Sequence, residues 1–208
     1  MSIETYGAFF LAAAIVLVIP GPTIILVISH SASQGRRAVL PLVAGVTLGD
    51  FTAMTLSLLG LGAILSASAA LFSILKWIGA IYLVYLGIKL WRSTPQPSAM
   101  RATDMATTHH RLFTHAYIVT SLNPKSIVFF VAFLPQFIDH TAPLTFQLIL
   151  MGLTFLFLAA INATVYGLFA GHLRDVLQHA TVLRWFNRCG GSALIGAGIF
   201  TAAFQRSS

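Results

Sequence analysis

The chain has 208 residues, of which 57% are hydrophobic and only 8% charged, with a mean hydropathy of +0.87. Water-soluble domains carry roughly 25% charged residues, so this chain lacks the polar groups to cover a water-facing surface, and membrane lipid is its natural solvent. The net charge of +7 does not make nucleic acid a partner, because the basic residues sit between long apolar runs rather than together on one polar face.

A hydrocarbon core about 30 Å thick takes about 20 apolar residues as a helix. Six stretches fit that length, giving an all-α membrane protein of six spans. The first covers residues 6–28 and is not preceded by Lys or Arg. A cleaved signal peptide has a positive start, so this run is read as a retained span. It is interrupted by Pro20, Gly21 and Pro22. The second covers 39–65 and holds one acid, Asp50, and the third covers 71–91. The polar stretch 93–111, with Pro95, Pro97 and Arg101, reads as a loop between two halves. The fourth span, 112–138, is interrupted by Asn123, Pro124 and Lys125. The fifth, 144–171, has no charge, and the sixth, 185–204, has Arg188 near its start.

Basic residues set the orientation. Arg36 and Arg37 lie between spans one and two; Lys89, Arg92, Arg101 and Arg111 flank the central loop; Arg174, Arg184 and Arg188 flank the connection between spans five and six. The other two connections have no Lys or Arg, and Lys76 and Arg206 are the exceptions to the pattern. The basic loops belong in the cytoplasm, which places both termini outside.

The two halves resemble one another. Pro20-Gly21-Pro22-Thr23-Ile24-Ile25 matches Asn123-Pro124-Lys125-Ser126-Ile127-Val128, and Gly45-Val46-Thr47 matches Gly152-Leu153-Thr154. Gly60-Leu61 falls on Gly167-Leu168, Leu75-Lys76-Trp77 on Leu183-Arg184-Trp185, and Gly87-Ile88 on Gly198-Ile199. The organisation expected is a first repeat over 1–92, a cytoplasmic linker over 93–111 and a second repeat over 112–208, forming one transport domain. Three spans per repeat is an odd number, so the copies are inverted, an architecture that recurs in secondary transporters.

A proline inside a helix removes a backbone hydrogen bond at a cost of about 3 kcal/mol. In lipid the freed groups need partners from neighbouring helices or a wet cavity. Both interruptions start a second half-helix near mid-membrane, with Asn123 as cap and Pro124 in the first helical position. The two new helix starts are expected to point at one central region and to favour an anion such as a substrate carboxylate. Lys125 is expected to add its charge there, and Thr23 and Ser126 their hydroxyls. Asp50 is costly inside a span and must face a cavity or a partner. It is a proton carrier, a contact for a substrate ammonium, or an ion-pair partner of Lys125. Thr47, Asp50 and Ser57 share a helix face. Asn162 and Tyr166, one turn apart, either line the same cavity or bond a neighbouring helix.

Gly45, Gly49 and Ala53 recur at every fourth residue, as do Ala159, Ala163, Gly167 and Gly171. Such small faces pack helices closely, within the chain or in a homodimer. Cys189 is the single cysteine, so no disulfide or Cys-based metal site is expected. His109, His110 and His115 lie in or beside the polar loop and read as solvated rather than as a metal site. No cofactor is expected.

In its motifs the chain is similar to the LysE/RhtB family of exporters. The resemblance rests on Pro20-Gly21-Pro22 followed by Gly35-Arg36-Arg37, on Gly45-Val46-Thr47-Leu48-Gly49-Asp50, and on Gly79-Ala80-Ile81-Tyr82-Leu83 with Gly87. Asn123-Pro124-Lys125 and Phe133-Leu134-Pro135-Gln136-Phe137-Ile138 complete it. It implies export of amino acids or close derivatives of the threonine, homoserine, homoserine lactone or lysine class across a bacterial inner membrane, driven by proton entry. The partners implied are a small-molecule substrate, protons and lipid. A divalent-cation exporter would want several membrane acids, His or Cys. An enzyme within the membrane would need a His/Asp or Ser/His set at depth, and His30 and His172 lie apart at span ends.

Overall fold

The computed structural model describes residues 1–67, 77, 81, 84–85, 87–89, 91–93, 108–139, 142–173 and 180–203. The third expected span and most of the 93–111 linker therefore lie largely outside the described residues. All the elements described are helical: α1 (Ile3–Val18), α2 (Pro22–Gln34), a tight turn (Gly35–Ala38), α3 (Val39–Ala67), α4 (His109–Ser121), α5 (Pro124–Val128), α6 (Leu144–Leu168) and α7 (Ala180–Ala203).

Local chemistry sets the boundaries. Ser2 caps α1 by accepting from the Thr5 N–H at 3.2 Å. The chain breaks at Pro20-Gly21-Pro22, and α2 restarts with Pro22 in its first turn, where a missing N–H does no harm. Gly35 ends α2 with φ +72°, a conformation that costs glycine nothing. Asn123 caps α5 through its side-chain oxygen, which accepts from the Lys125 N–H at 3.1 Å. Beyond α5 the expected fourth span does not continue as a plain α-helix. Phe129–Phe133 forms a wider π turn and Leu134–Phe137 a 3-10 turn. Pro135 lacks the N–H that would serve the α ladder and crowds the preceding turn, which shifts the pairing.

Helix α3 packs along α4, and α6 packs against α1, α2 and α3. The approach of α3 to α4 is close because Gly45 and Gly49 face it. A Cβ on Gly45 would strike the Phe113 carbonyl, and one on Gly49 would lie 2.9 Å from the Tyr117 carbonyl. A second glycine contact joins Gly87 to Gly191 of α7, where a Cβ on Gly87 would sit 2.6 Å from the Gly191 carbonyl. Two buried apolar clusters result. One contains Phe9, Phe129, Phe130, Phe133, Phe137 and Phe155. The other contains Ile24, Val27, Ile28, Leu42, Val46 and Leu112.

The outer faces are apolar as well. Leu11, Ile15 and Val18 of α1, Leu48, Phe51 and Leu56 of α3, and Leu153, Phe157 and Ile161 of α6 are all exposed. Soluble monomers do not carry apolar patches of that extent, and a lipid environment accounts for them. Among the described residues, Pro22–Gly60 (which includes the turn) and Leu144–Leu168 are long and apolar enough to cross a membrane. His109–Ser121 and Pro124–Phe137, bent by 42° at their break, pass the same test as a pair.

Candidate functional site

The break after α1 creates a specific deficit. In a continuous helix the carbonyl of residue i accepts from the N–H of residue i+4. For Val16 and Val18 those partners are Pro20 and Pro22, which have no N–H. The carbonyls of Leu17 and Ile19 lose theirs to the change in chain direction. All four accept instead from side chains of the second half of the chain. Lys125 Nζ donates to Val16 O at 2.9 Å and to Ile19 O at 2.8 Å. Asn162 Nδ2 donates to Leu17 O at 3.0 Å, and the Tyr166 hydroxyl to Val18 O at 2.7 Å. The end of α1 also carries the negative pole of the helix, which suits an ammonium. Lys125 therefore engages carbonyls in this conformation, in contrast to the expectation that it adds its charge to an anion site.

The two restarted helices meet through Thr23. Its hydroxyl accepts from Asn123 Nδ2 at 3.1 Å and from the Thr120 hydroxyl at 3.3 Å. Asn123 thus caps its own helix with one end of its amide and holds the first turn of α2 with the other. Thr23, Thr120 and Asn123 are all buried, so the bridge is shielded from water.

Asp50 projects from α3 toward this junction and is only 3% exposed. Ser126 and Lys125 line the same cavity as its carboxyl. One carboxyl oxygen, Oδ1, has no hydrogen-bond partner among the described residues. Thr23, Asp50, Asn123, Lys125, Ser126 and Asn162 line a single cavity with apolar walls from Leu17, Ile24, Val46 and Ala159. About 20 Å³ of it is open to a water molecule, enough for one water and far too little for an amino acid.

Six of the residues singled out in the sequence converge on this cavity. Pro20, Gly21, Pro22 and Pro124 act by shaping the backbone, and the point a Cβ on Gly21 would occupy is 3.4 Å from Lys125 Nζ. Thr47 lies elsewhere: its hydroxyl donates back to the Val43 carbonyl of its own helix at 2.9 Å. Tyr166 reaches the α1 carbonyl end but does not line the cavity.

Three features beyond the sequence reading flank the site. Thr120, buried in α4, was not marked by any motif. His30 of α2 meets His115 of α4, their ring nitrogens 3.3 Å apart, although 85 residues separate them. Buried Gln147 clamps the connection before α6: its Nε2 donates to Asp139 O at 2.9 Å and Ala142 O at 3.1 Å, and its Oε1 accepts from Asp139 N at 2.9 Å. A polar residue beside a turn signal was the one hint of that clamp. Met1 and Asp139 form an ion pair at 3.4 Å on the same side. Between them and the cavity lie aromatic rings packed edge to face, with Phe130 and Phe155 centroids 4.7 Å apart and Phe9 and Phe137 5.5 Å apart. Among the described residues, no three His, Cys, Asp or Glu side chains converge as a metal site would require.

Comparison with known proteins gives a consistent picture. The family described as LysE type translocator matches residues 14–203. An uncharacterized membrane protein of Vibrio cholerae serotype O1 is 34% identical over 97% of this chain and 98% of its own length. The homoserine/homoserine lactone efflux protein of Salmonella typhimurium is 32% identical over the full length of both chains, 100% of each. The leucine efflux protein of the same organism is 34% identical over 67% of this chain and 66% of its own. No solved structure matches.

Proposed function

The chain belongs to the LysE family of translocators, and from that premise we propose that it exports amino acids or close derivatives across the bacterial inner membrane in exchange for protons. The observation that carries this reading is the cavity at the two helix breaks. It gathers a carboxyl, an ammonium, two hydroxyls and two amides inside a largely apolar bundle. Such a set matches a small zwitterion, which needs partners for both a carboxylate and an ammonium. The substrate class is that of threonine, homoserine, homoserine lactone or lysine. Relatives named for homoserine and leucine efflux, and a lining in which Asp50 is the one carboxyl among the described residues, favour substrates without a charged side chain.

The architecture proposed is two inverted three-helix repeats. The contacts are reciprocal: α3 packs on the broken pair α4–α5, and α6 on the broken pair α1–α2. Tyr6 of α1 hydrogen-bonds Thr154 of α6 at 2.9 Å, and Tyr117 of α4 approaches Thr52 of α3 at 3.4 Å. Rocking one repeat against the other would open the cavity to each side in turn. The aromatic layer would close the outer side. The Ile24–Leu112 cluster, with His30 and His115, would close the cytoplasmic side, beyond which Arg36, Arg37 and Arg111 are exposed. Asp50 is the proton carrier proposed, since it is buried, lines the cavity and keeps one oxygen unpaired.

Metabolite profiling of medium from cells with and without the protein tests the reading. One or a few amino acids should accumulate outside cells that make it and not outside cells making Asp50→Asn. Identical media in all three would rule it out.

A further inference from the structure

The carbonyl end of α1 has the chemistry of a cation site. Four consecutive carbonyls, from Val16 to Ile19, have lost their helical partners. Asn162 and Tyr166 each serve one. The other two are bridged by a single ammonium, with oxygens 2.9 and 2.8 Å from Lys125 Nζ. A primary ammonium can donate to two such oxygens at once; a quaternary ammonium has no N–H to give. Asp50 Oδ1 is buried without a hydrogen-bond partner among the described residues, and Lys125 lines the same cavity. The cavity thus offers the lysine two kinds of partner, the carbonyls and the carboxyl, and in this conformation it hydrogen-bonds the carbonyls. The remaining cavity holds about 20 Å³ for water, so an entering group must displace the lysine rather than sit beside it.

We propose that the carbonyl end of α1 is a primary-ammonium site, filled in the closed state by the chain's own Lys125 and taken by the α-ammonium of the transported molecule when Lys125 turns to Asp50. The displaced lysine then neutralises the carboxylate, so the substrate's charge enters without leaving an unpaired ion at depth. The identity of the entering group rests on the export reading above. The preference of the site for a primary ammonium does not.

Chemical rescue separates the two. Purified Lys125→Ala should melt several degrees below the wild type. Millimolar methylammonium should restore most of that loss, and tetramethylammonium at equal ionic strength should not. Lys125→Met, which fills the space without a charge, should gain little from methylammonium, as should the wild type. If Lys125→Ala is recovered from membranes only with methylammonium in the buffer, that dependence is itself the expected result. The proposal is overturned by the absence of rescue, by failure of Lys125→Ala with and without the amine beside a folded Lys125→Met, or by equal rescue in all three proteins. In vesicles bearing the wild type, an exported amino acid should slow efflux of its labelled form at least tenfold better than the matching α-hydroxy acid. Equal competition would overturn the substrate half of the proposal. A chain that exports no amino acid, yet whose Lys125→Ala form is rescued by methylammonium, would refute the export reading and leave the ammonium site standing.

Discussion

Asn123 donates from its side-chain nitrogen to the Thr23 hydroxyl at 3.1 Å, tying the cap of α5 to the first turn of α2. Thr120 donates to the same oxygen at 3.3 Å. Thr23→Val removes the acceptor of both and leaves two buried donors unpaired, each at a cost of about 1–3 kcal/mol. Its melting temperature should fall clearly below that of the wild type, and Thr23→Ser, which keeps the hydroxyl, should stay close to it. Equal melting of the Val and Ser variants would show that the bridge contributes nothing to stability.

The breaks themselves can be repaired. Pro22→Ala gives the Val18 carbonyl a helical N–H, and Pro124→Ala does the same for the Thr120 carbonyl. Both variants should insert normally, since neither adds charge to a span, yet export should drop by about tenfold, equivalent to about 1.4 kcal/mol on the barrier. Wild-type export rates from both would separate the breaks from transport.

Asp50→Asn keeps the size and hydrogen bonding of the carboxyl but cannot titrate. If Asp50 carries the proton, export driven by a pH gradient should stop, while exchange of labelled for unlabelled substrate across the membrane continues. Vesicles assayed with and without the gradient distinguish the outcomes. Loss of both activities would point to a substrate contact instead, and full gradient-driven export would eliminate the carrier role.

The glycine contacts predict a contrast in stability. Ala at Gly45 would meet the Phe113 backbone, and Ala at Gly49 would lie 2.7 Å from the Thr120 Cβ, whereas Ala at Gly60 has nothing within 4 Å. Gly45→Ala and Gly49→Ala should each lose about 1–3 kcal/mol by overpacking. Gly60→Ala should match the wild type or gain about 0.5–1 kcal/mol from the better helix former. Thermal unfolding in one detergent gives the comparison, and three equal midpoints would contradict the close α3–α4 approach.

Orientation is open to labelling because Cys189 is the single native cysteine. In a Cys189→Ser background, an impermeant thiol reagent applied to intact cells should reach Glu4→Cys and miss Arg37→Cys. Both positions are exposed, so the membrane and not burial decides access. The reverse pattern would invert the orientation proposed from the basic residues.

Much of this was legible one residue at a time. A proline beyond the first turn removes an N–H that the helix needs, so Pro20, Pro22 and Pro124 mark the interruptions, whereas Pro41 sits in the first turn of α3 and leaves it unbroken. Low charge and long apolar runs pointed to the membrane, and Asp50 stood out because a carboxyl there is costly. The shift of Phe129–Phe133 to a wider turn was less legible, since it depends on how the chain accommodates Pro135 after it has already restarted at Pro124. What the sequence by itself determined was the list of groups that needed partners: the carbonyls before each proline and the polar side chains inside the spans. Which partner each one took was decided only by the tertiary structure. Lys125 meets Val16 and Ile19 across 109 and 106 residues, and Asn162 and Tyr166 meet Leu17 and Val18 across 145 and 148. Thr47 looked equally suited to the cavity and bonded its own helix instead. The reason is that a hydrogen bond is satisfied by any donor of the right reach and direction, so backbone chemistry creates the demand locally, and the packing of helices from opposite halves of the chain selects the donor.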